Sequence, residues 1–274
     1  MDFMIHQMKQ KVIFFSGFIL LLQACSVISI TQSGLKEVTQ KSLQVSPVCR
    51  VSSTGVVYMN FAGMIKTDFI PASVKIEYGN ILIYFDPLVI GDTTAADYIF
   101  ITHEHADHFS IPDIRKLSGD KTLIVGPEHI TRKLNDYHTK TVGLNDSLDF
   151  GDIQCRTVPS YNLKKGGLSM PLHKRSDNYL GYIISCDTLR IYVAGDTDYI
   201  PEMKSFDGIT LAIVPIGEGK TAMNPEEAAE AVNIMQPDIV IPVHYEPGKD
   251  SEQVFEDLVN ENIRVEHLVT CHTD

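Results

Sequence analysis

Apolar and polar positions change rhythm several times along this chain. From Val48 onward, short apolar runs of strand length alternate with turn residues and with stretches of helical period. The runs predict strands over 73–77, 81–85, 98–101, 122–125, 155–158, 179–185, 189–193, 211–215, 239–242 and 265–269. Tyr78-Gly79-Asn80 reads as a hairpin turn between the first two. Helical patterns fall over 111–117, 127–134, 225–235 and 251–259. The third is the best marked: Asn224 suits an N-cap, Pro225 the first helical position, and Glu227 stands three residues after the cap. Strands arrive first as a meander and later interleave with helices, which suits sheets covered by helices in a layered α/β sandwich.

The first 24 residues follow another pattern. Lys9 and Lys11 precede an apolar run from Val12 to Leu22, too short to span a bilayer comfortably but suited to a signal-peptide core. The run ends in Leu22-Gln23-Ala24-Cys25-Ser26, a small residue before a cysteine, which resembles a bacterial lipobox. That resemblance implies cleavage before Cys25 and a lipid-modified Cys25 anchoring the protein to the membrane of a bacterial envelope. An uncleaved anchor or a plain secretory signal are the alternatives. Residues 25–47, rich in Ser, Thr, Gln and Lys, read as a tether, and 48–274 as the folded domain.

Composition agrees with one sizeable core: 274 residues, 44% hydrophobic. A formal net charge of −12 repels phosphate backbones and argues against nucleic acid as the partner, leaving a small molecule. Cys49, Cys155, Cys186 and Cys271 are scattered without metal-ligand spacing, and Cys155 and Cys186 read as buried thiols.

The chemistry concentrates at Thr102-His103-Glu104-His105-Ala106-Asp107-His108, directly after the apolar run 98–101. Imidazole and carboxylate are the ligands a divalent ion such as zinc prefers. His103 and His105, two apart at a strand mouth, can point to one side; Asp107 and His108, one turn on, can face a second ion. Two more strands end in such groups: Asp196 follows 191–195 and His244 follows 239–243. A carboxylate can bridge two cations whereas an imidazole cannot, so Asp196 is the natural bridge, and His244 completes the second site beside Asp107 and His108.

These residues carry a resemblance. HEHADH at 103–108, GDTD at 195–198 and VHY at 243–245 resemble the ligand motifs of the metallo-β-lactamase superfamily, over about residues 50–274. The run 192–203 and the helix start at 224–229 are similar to the subgroup related to ascorbate-6-phosphate lactonase and N-acyl-phosphatidylethanolamine phospholipase D. The resemblance implies a four-layer αββα sandwich with a dinuclear site at one edge, zinc first and manganese or iron as alternatives. Most members carry a further histidine after a middle strand, where this chain has Val158-Pro159-Ser160-Tyr161-Asn162. His173, Asn162 or water could fill that place; His138, in a polar stretch, is less well placed.

Such a site predicts a hydrolase that presents metal-bound hydroxide to an ester, lactone, amide or phosphodiester. Asp107 would bind metal and orient the nucleophile, while Glu104 points away. The stretch 162–177, with Lys164, Lys165, Lys174 and Arg175, suggests an anionic substrate, with Asn162, His173, Lys220 and Tyr245 as contacts. Two other readings compete on the same scaffold. A non-catalytic binding module would be expected to lose ligands, and an oxygen-reducing di-iron relative would carry glutamate where His105 stands.

Overall fold

The computed structural model describes residues 28–63, 65–163, 172–217 and 219–271. The leader, Cys25, Lys164 and Lys165 lie outside the described residues.

Two seven-stranded sheets face each other. The first runs, in spatial order, Thr139–Thr141, Leu123–Gly126, Tyr98–Phe100, Ile81–Phe85, Val74–Tyr78, Cys49–Ser53 and Ser42–Ser46. The second runs Ser147–Asp149, Gln154–Pro159, Leu180–Cys186, Leu189–Val193, Leu211–Pro215, Ile239–Val243 and Arg264–Val265. Each sheet has three antiparallel pairings followed by three parallel ones, so the two halves of the chain repeat one plan. Alternation explains the antiparallel half: Val74 and Ile76 turn inward while Lys75 and Glu77 turn outward. Leu211–Pro215 and Ile239–Val243 are buried at every position, as parallel strands covered on both faces must be.

Three apolar layers hold the sandwich together. Between the sheets, Val74, Ile83 and Phe100 meet Tyr182, Ile191 and Ile213. Outside the first sheet, Ile99 and Ile124 pack on Ile114 and Leu117 of helix Ile111–Leu117. Outside the second, Val214 and Val240 pack on Ala228 and Val232 of helix Pro225–Met235 and on Phe255 of helix Ser251–Leu258. The architecture is therefore helix, sheet, sheet, helix. Cys49, Cys155 and Cys186 are free thiols buried within it; burial pushes Cys49 and Cys155 up to about 12 and Cys186 to about 11. Among the described residues no helix is long and apolar enough to cross a membrane.

One expectation is corrected. Within the described residues, the stretch read as a tether over 25–47 is built into the domain as three strands. Ile28–Gln32 pairs with Val57–Phe61, which pairs with Ile65–Phe69, making a small antiparallel flap. Val38–Gln40 pairs with Val269–Cys271, and Ser42–Ser46 closes the edge of the first sheet. Such pairing is made by backbone groups, which a Ser-, Thr- and Gln-rich composition does not report.

Helix Pro225–Met235 starts as its sequence predicts. Asn224 accepts from the Glu227 N–H at 2.9 Å and Glu227 reaches back to the Asn224 N–H at 3.3 Å. Replacing Asn224 with alanine should cost about 1 kcal/mol. The urea midpoint should fall with an unchanged slope.

Candidate metal centre

Parallel strands end on one edge of the sandwich, and the reactive side chains stand on the loops that leave them, as open α/β sheets place their sites. His103, His105, Asp107 and His108 follow Tyr98–Phe100, Asp196 follows Leu189–Val193, and His244 follows Ile239–Val243. The residues separate into two groups whose ligand atoms lie within 4.8 Å of one another: His103, His105, His173 and Asp196 in one, Asp107, His108 and His244 in the other. Asp196 touches both. Its Oδ1 is 3.2 Å from His108 Nε2 and 3.3 Å from His244 Nε2, while Oδ2 lies 3.9 Å from His103 Nε2. His173 stands in the place left open in the sequence, its Nε2 3.2 Å from His105 Nδ1.

Hydrogen bonds behind the cluster fix which ring nitrogens face it. Asp86 accepts from the Thr102 N–H (2.8 Å), the Thr102 hydroxyl (2.6 Å) and His108 Nδ1 (2.8 Å). With its proton given to Asp86, the Thr102 oxygen accepts from His103 Nδ1 at 2.9 Å. His173 Nδ1 donates to the Asp196 carbonyl at 3.1 Å. Each of these rings thereby turns its Nε2 toward the centre, the nitrogen a metal takes once it carries no proton. Neither His103 Nε2, His108 Nε2 nor Asp196 Oδ1 has a hydrogen-bond partner among the described residues, although all three are buried. Buried polar atoms gathered without partners are costly. A divalent cation satisfies them together, so this donor set fits metal ions.

The electrostatics agree. Burial, reinforced by the neighbouring imidazoles, holds the His103 pKa well below its usual value. Burial opposes ionisation of Asp107 and Asp196, yet the adjoining histidines outweigh it and lower both. Burial likewise works against charge on His108 and His244, but the carboxylates raise both. The buried Asp196 and the half-buried Asp107 thus draw positive charge into the cluster.

Local backbone makes the close approach possible. Gly195 has φ +64°, and a Cβ there would sit 3.1 Å from the Thr102 Cβ. At Gly217 a Cβ would come within 2.9 Å of the His244 carbonyl oxygen. His244 itself has φ +58°, a left-handed conformation unusual for a non-glycine residue. Phe69 of the flap sets its ring edge against His244 at 4.7 Å.

Several sequence expectations change. Asn162 is buried and fully engaged: its Oδ1 accepts from the His173 N–H at 3.0 Å, and its Nδ2 donates to Asp198 and the Thr221 carbonyl. It positions His173 rather than meeting substrate. Tyr245 is also buried, and its hydroxyl donates to Glu252 at 2.6 Å in the helical layer. Lys220 is exposed between half-buried Gly219 and Thr221, which leaves its expected contact role unchanged. Arg175 is taken up by Glu202 at 2.8 Å and by the Tyr161 hydroxyl at 3.1 Å. Glu104 points outward to Lys133 at 2.8 Å, as its place in the motif predicts. Asp86 and Thr102 escaped the sequence reading, although Asp86 carries the signal that found Asp196, an aspartate directly after a buried strand.

A sequence profile described as the Beta-lactamase superfamily domain matches residues 84–245. The chain belongs to the beta-lactamase superfamily, and within it to the metal-dependent hydrolases. It is 30% identical over 221 residues to a UPF0173 metal-dependent hydrolase of Thermococcus kodakarensis, a match covering 74% of this chain and 95% of the relative. A UPF0173 metal-dependent hydrolase of Thermococcus onnurineus is 32% identical over 222 residues, with the same shares. Among solved structures, a protein of Parabacteroides distasonis, provisionally named a metal-dependent hydrolase, superposes with a TM-score of 0.65. It is 28% identical, and the match covers 84% of this chain and 98% of the other.

Two sets of hydrogen bonds, one behind the centre and one at helix Ser251–Leu258, give testable outcomes. Asp86→Ala strips the acceptor from His108 and Thr102, and metal affinity should fall roughly 10–100-fold in a chelator competition while secondary structure persists. The second concerns His267. Burial disfavours its charge, but hydrogen bonds to Glu252 and Glu256 outweigh burial and raise its pKa. Its stabilising contribution is complete below the unfolded value of about 6.5 and is lost as pH rises through the folded value. Urea unfolding at about pH 6 and about pH 9 should show that loss, and His267→Gln should lack it.

Proposed function

We propose that this metal-dependent hydrolase holds two divalent ions, zinc by the chemistry of its donors. It directs water onto the ester, lactone, amide or phosphodiester group of a small molecule. The observation that carries the reading is the division of Asp196, one oxygen toward His108 and His244 and the other toward His103. A donor set dominated by imidazole supports zinc over magnesium or calcium. Ions bound there supply Lewis acidity and lower the pKa of water.

The chain's own residues supply the rest. His103, His105 and His173 hold one side, Asp107, His108 and His244 the other, and Asp196 spans them. Asp107, with a fifth of its side chain exposed, is the carboxylate able to orient an incoming water. Phe69 shields His244 from solvent on the flap side. Arg175, taken up by Glu202, is not counted toward a clamp for an anionic substrate. The net charge of −12 supports a small-molecule substrate over nucleic acid. The pattern from Lys9 to Cys25 supports an exported, membrane-anchored lipoprotein.

Metal analysis of the purified protein should find about two ions per chain. His105→Ala and Asp196→Ala should each lower that content. Hydrolysis of generic ester and phosphodiester substrates should fall beyond the roughly 10–100-fold typical of outer-sphere changes. Unchanged metal content in both variants would overturn the ligand assignment.

A further inference from the structure

Beside the metal centre lies a groove of about 360 Å³ that the chemistry so far leaves unused. Its wall is Ile28 and Ile30 of the flap, Leu88 and Val89 after the Asp86 turn, and Phe109 and Ile111 after the ligand loop. Ala106, between His105 and Asp107, belongs to the same lining and joins the groove to the metal ligands. The apolar surface continues inward: Leu88 clusters with Phe69, whose ring meets His244. Among the described residues, Ile28 leaves 45% of its surface exposed.

The two polar side chains in this wall offer little to a polar ligand. Asp113 accepts from the Val89 N–H and the Ile90 N–H, both at 2.9 Å, from the Ser110 hydroxyl at 2.6 Å and from Lys116 at 3.0 Å. Ser110 has given its proton to Asp113. Those same bonds hold Val89 at φ +52°, a left-handed conformation that a β-branched residue adopts only under constraint. Backbone strain of this kind persists at places where the position of a side chain matters. Here it fixes Val89 at the wall between this groove and a larger cavity, both of which it lines. By contrast, the larger cavity, of about 520 Å³, is lined by charges already paired, Lys75 with Asp92 and Arg50 with Glu77.

We infer that the groove receives an apolar acyl or alkyl group of the substrate, so that the bond to be cut lies over the metal centre while the chain runs outward between flap and ligand loop. The inference rests on the hydrolase reading above and narrows its substrate to molecules with a hydrocarbon arm. A groove of this volume falls in the range of small-molecule sites, which are apolar with few polar groups.

The test reads binding, not turnover. Butanoate, hexanoate and octanoate, below micellar concentration, are titrated calorimetrically into the metal-loaded protein, whose metal content is measured separately. The dissociation constant should fall about fourfold per added methylene. Ile28→Ser alters an exposed side chain, and Val89→Gly suits the left-handed backbone, so both should fold. Each should cut the gradient to about half or less without changing metal content. Equal affinity along the series in the wild type, or an intact gradient in both variants, would overturn the proposal. So would a dimer in sedimentation that Ile28→Ser dissolves, because the groove would then be a contact between two copies. A gradient that persists in protein shown to bind no metal would sustain the groove and defeat the hydrolase reading instead.

Discussion

A carboxylate buried at the end of Ile81–Phe85 accepts three hydrogen bonds, and through them Asp86 orients two imidazoles, His108 directly and His103 by way of Thr102. Burying a charge is expensive unless it is fully engaged, and here the engagement is geometrically demanding. Thr102 must present both its amide and its hydroxyl, and His108 must turn its Nδ1 inward. Once these bonds form, the ring nitrogens left over face the cluster without further adjustment. The site is therefore arranged by the scaffold before an ion arrives, which spares binding the entropy of ordering long side chains.

The repeated plan of the two sheets gives this arrangement a structural logic. Asp86 and Asp196 hold corresponding places, each after the strand at which antiparallel pairing gives way to parallel. One copy has its oxygens directed at the ring nitrogens of three histidines; the other stands behind His108 and Thr102. One position thus serves as a bridge in one half and as a support in the other. Left-handed backbone at Asp86, Val89 and His244 marks the same edge, where the chain leaves regular strand to aim side chains inward.

Much of this was legible in the sequence because the informative residues sit next to strong local signals. HEHADH follows a buried strand, and Asp196 and His244 end two others, so apolar runs marked the places to look. The helix at Pro225–Met235 was legible from its cap. The small strands between Cys49 and Phe69 and the strands from Ile28 to Ser46 were not, because their order comes from cross-strand pairing rather than from apolar periodicity. Asn162 and Tyr245 were misread as substrate contacts since polarity beside a motif does not reveal which partner has already taken the hydrogen bond. The lining of the groove was hidden for a related reason: Ile28, Val89 and Phe109 lie far apart in the chain and meet only when the flap closes against the ligand loop.

The buried thiols have a bearing on where such a protein can work. With pKa values near 12, Cys49 and Cys155 hold on the order of one thiolate in 10⁵ at neutral pH, too few to react with oxidants or disulfides at useful speed. Cys186, at about 11, holds about ten times more, still on the order of one in 10⁴. The sandwich owes none of its cohesion to a covalent cross-link among these three. Oxidising surroundings should accordingly leave these three thiols as they are.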